Sequence, residues 1–300
     1  TQNSVFDATE VEREIEVVLE EIRRSEDSPH SVLSDGVFAA TYPVHPYGRP
    51  ILGSAESVAS FSREKLLDFY RRWYTAENLL VVVTGDFESN QVLDRVAAGF
   101  ADARTGGTRR NRPVEERQEG LRTALLRRPF ERACLELSWP SVSFGHPDAP
   151  LLDLLAFILG EGESSRLVQH VKERDGLADR IAASSYPPLD AGVFAASADL
   201  EAEAALPVIE AVAREVEALR LAPVSSLELE KARTNFLATE HWERESVSGL
   251  ARKLGSFEVI AGSHEHEAVY LEAIRQARAE DLLRVAREWL RPESLTCAVV

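Results

Sequence analysis

The sequence predicts an α+β protein made of two homologous domains, each a mostly antiparallel sheet with helices packed on one face. Three observations lead to this prediction. Apolar residues recur at helical spacing in several long segments, and short apolar runs bounded by turn residues are typical of strands. The chain also resembles itself at an offset of 216 residues, which predicts a duplication whose first domain is incomplete at its N-terminus.

The first domain is predicted over residues 1–104. Its first helix, over 8–25, follows from the apolar stripe Val11, Ile15, Val18 and Ile22 with charged residues elsewhere. A loop comes next, because three prolines between residues 42 and 50 forbid continuous helix. Two more helices are predicted over 63–74 and 89–100, and the unbroken apolar run at 79–84 predicts a buried strand between them.

A linker is predicted over 105–120, where almost no side chain is apolar and no face could be buried. The second domain is predicted over 121–300. Its expected strands cover 134–139, 193–198 and 295–300, and its expected helices cover 150–159, 164–174, 204–221, 226–254 and 279–290.

The internal repeat aligns 61–83 with 277–299 and 10–24 with 226–240. The second copy opens with the strand near Cys134 and the helix near Leu154, whose counterparts at this offset would precede residue 1. The prediction that the first domain is incomplete rests on this offset. The identities in the longer segment are Glu64/Glu280, Leu66/Leu282, Leu67/Leu283, Arg71/Arg287, Trp73/Trp289, Glu77/Glu293, Leu79/Leu295 and Val83/Val299.

Composition excludes several functional classes. A formal net charge of −16 gives no basic surface for nucleic acid, and no apolar stretch approaches the roughly 18 residues of a membrane span. Cys134 and Cys297 do not form a CxxC pair, so neither a disulfide framework nor a thiolate zinc site is predicted. We expect a soluble protein of the cytoplasm or periplasm, without a choice between them.

Two carboxylates on the first helix are candidate functional groups. Glu14 and Glu21 are seven residues apart, close to two helical turns, so they leave the helix from one side and border its apolar stripe. Glu16 and Glu20 point to the opposite face. A carboxylate beside apolar residues is costly unless it is paired or bound to metal. The alternative is a semi-exposed surface charge.

The sequence around these carboxylates resembles the M16 zinc metallopeptidases, the inverzincin family of pitrilysin, insulysin and mitochondrial processing peptidase. Residues 11–22 are similar to the second half of the active-site signature. Similar segments recur in the family's order at 47–53, 74–79 and 160–167, so the resemblance spans nearly the whole chain. Within the family, it resembles a bacterial-type, two-chain, M16B-like member.

The resemblance implies a zinc site in the full-length protein. In the family, an HxxEH helix supplies two histidines and the general base, and a later glutamate completes the ligand set. Residue by residue, that third ligand falls on Glu21 and the supporting acid of the catalytic site on Glu14. This sequence has no HxxEH, so we expect it to begin after that motif, to be inactive alone and to bind no zinc tightly. A truncated active protease and a naturally inactive homologue both remain open.

The family's substrate-binding Arg/Tyr pair is replaced by other residues in this sequence. Lys172 and Asp179 occupy its two positions, and Asp lacks the donor and the aromatic ring of Tyr. A shifted register would place Arg174 in the first position instead. A chain with Glu14 and Glu21 but no Arg/Tyr pair resembles the zinc-bearing subunit of two-chain members, which implies a homodimer or heterodimer with another M16-type subunit.

Two other motifs contain residue types found in metal or nucleotide sites. His264-Glu265-His266 follows Gly262-Ser263 and is more typical of a solvated turn than of a metal site. Gly160 and Gly162 alternate with acidic residues that would repel phosphate.

The function implied by the resemblance is a zinc-dependent metalloendopeptidase that cleaves peptides or unfolded segments. The alternative is a non-catalytic M16-like partner or scaffold subunit, similar to inactive members in respiratory complexes. An HxxEH motif upstream in the gene would discriminate between the two.

Overall fold

The computed structural model describes residues 2–107 and 110–300. Its single described sheet has five strands, all after residue 121: β1 (Arg122–Leu125), β2 (Ala133–Pro140), β3 (Arg180–Tyr186), β4 (Val193–Leu200) and β5 (Thr296–Val299). The strand order is β1-β5-β2-β4-β3, and every pair is antiparallel except β1 with β5. The predicted α+β class with a mostly antiparallel sheet is therefore confirmed.

The described N-terminal part contains helices and no strand. Its helices are α1 (Ala8–Glu26), α2 (Pro29–Thr41), α3 (Ala55–Ala59), α4 (Arg63–Trp73) and α5 (Ser89–Gly99). The C-terminal part adds α6 (Ala149–Gly160), α7 (Ala205–Leu221), α8 (Ser226–Arg244), α9 (Val247–Ser256), α10 (His266–Gln276) and α11 (Ala279–Trp289).

The main core lies between one face of the sheet and these C-terminal helices. Alternate residues of β2, including Leu135 and Leu137, enter it together with nearly the whole of α6. Each fully buried leucine contributes about 1.5–3 kcal/mol of transfer free energy. This core explains why α6 is apolar on all sides and shows little amphipathic pattern.

The opposite face of the sheet is partly covered by α2. Leu33 and Val37 of this helix pack on Cys134 of β2 and Ala298 of β5. Beyond its end, the Tyr42 hydroxyl donates to the Ala191 carbonyl oxygen at 2.9 Å. The N-terminal helices are thereby attached to the sheet by α2 and the turn that follows it.

The internal repeat is matched by secondary structure. Moving α4 by 216 residues gives the bounds of α11, and the short helical turn at Ala76–Asn78 falls on that at Pro292–Ser294. The structures differ further along, because 296–299 form β5 whereas the counterpart residues 80–83 pair with no strand among the described residues. Leu80, Val81 and Val83 are instead exposed.

The strand expected at 79–84 was thus wrong for this chain, since an extended segment becomes a strand only when a neighbour accepts its hydrogen bonds. The helix expected over 226–254 is interrupted after Arg244, where the Ser246 hydroxyl caps α9 by accepting from the Gly249 amide at 3.0 Å. The helix expected over 164–174 is a π-helical turn at Val168–Arg174. No helix in the described ranges has the length and apolar character needed to cross a membrane.

Candidate functional site

Helix α1 carries the two predicted site carboxylates. Asp7 caps its N-terminus, accepting from the Thr9 amide at 3.0 Å, and Val11 and Ile22 are its buried contacts with the protein. Both Glu14 and Glu21 are exposed. The predicted helix is confirmed, and the roles of Glu14 and Glu21 stay predictions.

Neither Glu14 nor Glu21 forms an ion pair or hydrogen bond within residues 2–107 and 110–300. In contrast, Glu10 pairs with Arg13 and Glu20 pairs with Arg23, each at 2.8 Å. Val17, which flanks Glu14 and Glu21 on the helix surface, is 58% exposed. This side of α1 therefore presents two unpaired carboxylates beside an uncovered apolar side chain.

Lys172 and Asp179 have different surroundings in the structure. Lys172 lines a cavity of about 520 Å³ with Gly160, Gly162 and Arg180. Asp179 is absent from this lining and forms an ion pair with Arg132. The substrate-binding role of Lys172 and Asp179 stays a prediction.

Arg174, the alternative residue for the first position of the Arg/Tyr pair, is hydrogen-bonded within the chain. Its guanidinium donates two hydrogen bonds to the Asp175 carboxylate, at 2.7 and 2.9 Å. Two of its five N–H groups are thus used within the chain. Lys172, whose Nζ is 3.6 Å from Glu173 Oε1, is the one of these two cations that lines the cavity.

The cavity has acidic and basic groups at its rim. Glu161 lines it within the loop after α6, and burial raises the pKa of this carboxyl. Asp199 lies in the lining close to Arg180, whose Nε is 3.9 Å from Asp199 Oδ2. The cavity thus offers mixed charges suited to polar ligands.

Three potential ligand groups meet beside this cavity, and sequence reasoning assigned none of them a role. His30, Cys134 and Asp199 each place one donor atom within 4.8 Å of the others. Burial and the Asp199 carboxylate raise the pKa of the Cys134 thiol to about 11. No local spacing could reveal this group, because the strand register sets Cys134 opposite Asp199 and the unpredicted helix α2 supplies His30.

His264 and Glu265 lie in the turn before α10, as predicted, whereas His266 is the first residue of that helix. His264 Nδ1 is 2.8 Å from Glu258, which lowers the pKa of that carboxyl. Among the described residues, only His30, Cys134 and Asp199 form a group of three potential metal ligands. Glu21 lies outside it, so the described chain offers that carboxylate without two accompanying imidazoles.

Comparison with known proteins gives similar chains of greater length. An uncharacterized zinc protease of Rickettsia bellii is 28% identical over 303 residues, covering 100% of this chain and 72% of its own length. An uncharacterized zinc protease of Mycobacterium tuberculosis is 30% identical over 289 residues, covering 94% of this chain and 65% of its own length.

Solved structures share the fold over almost the entire chain. A protease from Helicobacter pylori superposes with a TM-score of 0.88 at 25% identity, covering 98% of this chain and 72% of that one. A chain of complex III2 from Candida albicans superposes with a TM-score of 0.85 at 14% identity, covering 96% of this chain and 70% of that one. The model of the peptidase M16 inactive domain matches residues 60–236. Because this match spans more than half of the 300 residues, the chain belongs to the M16 peptidase family.

Proposed function

We propose that this chain is part of a zinc-dependent metalloendopeptidase that cleaves peptides or unfolded segments. The observation that carries the proposal is the surface of α1, where Glu14 and Glu21 lie on one side without partners in the described chain. The zinc protease names of the relatives support it.

Glu21 would supply the carboxylate ligand and Glu14 the supporting acid. An unpaired carboxylate on a regular helix fits a metal ligand, because no ion pair has to be broken and the helix fixes the direction of the side chain. Two imidazoles and a general base would come from an HxxEH helix outside this chain. When bound, zinc supplies a polarised water for attack on a peptide carbonyl.

Lys172 would contact the substrate from the other half of the fold. Lys172 lines a cavity large enough for a short peptide segment, and its ammonium can donate hydrogen bonds to carbonyl oxygens. Asp179 is held by Arg132 and would not assist. We propose that a second M16-type subunit, in a homodimer or heterodimer, completes substrate binding.

The test begins with the gene sequence upstream of residue 1. If it encodes HxxEH, the full-length protein should cleave a quenched fluorescent peptide, lose activity to a chelator and regain it with Zn²⁺. Glu21→Gln should lower kcat/KM on the order of a hundredfold or more, since loss of a ligand exceeds the 10- to 100-fold effect of outer-shell changes.

Glu20→Gln is the matched control, because Glu20 is adjacent in sequence and pairs with Arg23 on another side of the helix. It should retain activity. Equal activity of the two variants would refute the role of Glu21.

The second candidate is a non-catalytic partner or scaffold subunit. The fold shared with a chain of complex III2 favours it. It predicts no HxxEH upstream, no peptide cleavage with any added Zn²⁺, and a stable heteromeric complex on size-exclusion chromatography. An active monomer would contradict both this candidate and the need for a partner.

A further inference from the structure

The group formed by His30, Cys134 and Asp199 lies between α2 and the face of the sheet that this helix covers. Cys134 and Asp199 are opposite one another in the register of β2 and β4. His30 is the second residue of α2, whose Leu33 and Val37 pack on Cys134 and its neighbours. Two strands and a helix therefore fix the three side chains near one point.

Two of the three donor-atom separations match those that a tetrahedral ion requires. Cys134 Sγ is 3.4 Å from Asp199 Oδ1, and His30 Nε2 is 3.6 Å from the same oxygen. All three atoms lie within 4.8 Å of one another. With zinc bonds of about 2.0–2.3 Å, neighbouring ligand atoms of a tetrahedron are about 3.3–3.6 Å apart. Small side-chain rotations would complete this geometry.

The chemistry of the three donors selects the class of ion. Thiolate and imidazole disfavour Mg²⁺ and Ca²⁺, which take oxygen ligands, and favour borderline ions such as Zn²⁺. We propose that His30, Cys134 and Asp199 form a Zn²⁺ site distinct from the site proposed at Glu21. Binding would convert the thiol to a thiolate, form the Zn–S bond and release one proton to solvent.

The surroundings give an ion access to the three ligands. The fourth coordination position of the ion would stay open. The Cys134 residue is buried, whereas the His30 side chain is 61% exposed and His30 and Asp199 line the cavity of about 520 Å³. The nearby cation, Arg180, approaches the other oxygen of Asp199 and is 82% exposed, so it can move into solvent. A second carboxyl group, that of Glu136, lies two residues along β2 on the same face.

The site would join α2 to the sheet and thus the N-terminal helices to the C-terminal domain. Zn²⁺ should therefore raise the midpoint of thermal unfolding, because an ion that binds only the folded state stabilises it. This differs from the sequence-based expectation, which predicted no thiolate zinc site at Cys134 and no tight zinc binding by this chain.

The test uses the 300-residue chain with a phosphine reductant and Co²⁺ as a spectroscopic probe. One equivalent of Co²⁺ should give a thiolate-to-cobalt charge-transfer band, and Zn²⁺ should displace it at one equivalent. Cys134→Ser should abolish the band. His30→Ala should weaken Co²⁺ binding by at least about tenfold, and since His30 is exposed, this variant should fold even if changes at Cys134 disturb the core.

Two controls separate this site from others. Cys297→Ser should keep the band, because Cys297 is a free, partly buried thiol outside the ligand group. Glu21→Gln should also keep it, so failure of the proposed peptidase function would leave this result unchanged. Absence of the band in the wild-type chain, its survival in Cys134→Ser, or its loss in Cys297→Ser would overturn the proposal.

Discussion

The Tyr270 hydroxyl of α10 donates a hydrogen bond to the carboxylate of Asp153, which lies in the middle of α6. Burial raises the pKa of Asp153 to about 6, although the hydrogen bond from Tyr270 opposes the increase. Glu240 and Glu161 add to the increase by charge repulsion. The main core thus contains an acid that is easier to bury in its protonated form.

This acid should make stability fall as the pH rises from about 4 to about 6. Between the unfolded pKa near 3.8 and the folded pKa of about 6, the folded state binds more protons than the unfolded state, so deprotonation costs stability. Asp153→Asn keeps an acceptor for Tyr270 and removes this cost. Its gain in unfolding free energy over wild type should be about 1 kcal/mol larger at pH 8 than at pH 5, since one pKa unit is about 1.4 kcal/mol.

Urea unfolding of both proteins at the two pH values measures this difference. Asp102→Asn, at an exposed position after α5, is the control and should change stability by less than about 0.5 kcal/mol at either pH. A difference between Asp153→Asn and wild type that does not vary with pH would contradict the prediction.

Asp148, just before α6, has the opposite effect on how stability depends on pH. Burial alone would raise its pKa, but hydrogen bonds from Arg284 and from Trp289 Nε1, the latter at 2.9 Å, together lower it. Its stabilisation should be present above pH 4 and lost as the pH falls through the lowered folded pKa. Asp148→Asn should cost about 1–3 kcal/mol at pH 7 by weakening these charge-assisted bonds.

Thermal unfolding at pH 7 would detect that loss as a lower midpoint. Glu288→Gln removes an exposed carboxylate that pairs with Arg117 at 3.4 Å, and it should have almost no effect. Equal midpoints for the Asp148 and Glu288 variants would show that the buried pairing contributes nothing.

Much of the fold follows from sequence because amphipathic helices have local causes. The bounds of α1, α4 and α11 agree with the apolar spacing and the repeat. Helix α2 was missed, since its segment is apolar on several sides and packs on the sheet through Leu33 and Val37. Of the strands, β1 and β3 carry mixed side chains and depend on their neighbours for pairing.

The candidate site residues likewise include some that the sequence predicts and some that only the fold brings together. The position of Glu14 and Glu21 on one side of α1 follows from helical periodicity alone. The contact of His30, Cys134 and Asp199 depends on a strand register and a helix packing across 169 residues of sequence, and short spacings carry no information about either.

Gly160, at the end of α6, is required by the close approach of this helix to β3. A Cβ atom there would lie 2.1 Å from the Ala183 amide nitrogen and 2.6 Å from the Ala182 carbonyl carbon. Both are backbone atoms in a strand, so the helix and sheet would have to separate. Gly160→Ala should destabilise the protein by about 1–3 kcal/mol or more.

Gly145→Ala is the matched control, because a Cβ atom at that position meets nothing within 4 Å. Denaturant midpoints of the two variants give the comparison. A Gly160→Ala protein as stable as Gly145→Ala would mean that α6 and β3 can move apart without cost.

The segment at 80–83 provides a comparison of one sequence pattern in two environments. Val83 is 44% exposed, whereas its repeat counterpart Val299 lies in β5, paired with Leu135 of β2 and packed against the main core. Val299→Asp should therefore cost more than about 3 kcal/mol, because it places a charge in the core, and Val83→Asp should change stability by less than about 0.5 kcal/mol.

Val83→Asp should also reduce self-association, since an exposed, unpaired run of valines is a template for pairing with another chain. Urea unfolding and static light scattering of the two variants measure both effects. A large loss of stability in Val83→Asp would show that residues 80–83 are paired or covered in solution, and the lack of a neighbouring strand could then no longer explain why this segment differs from β5.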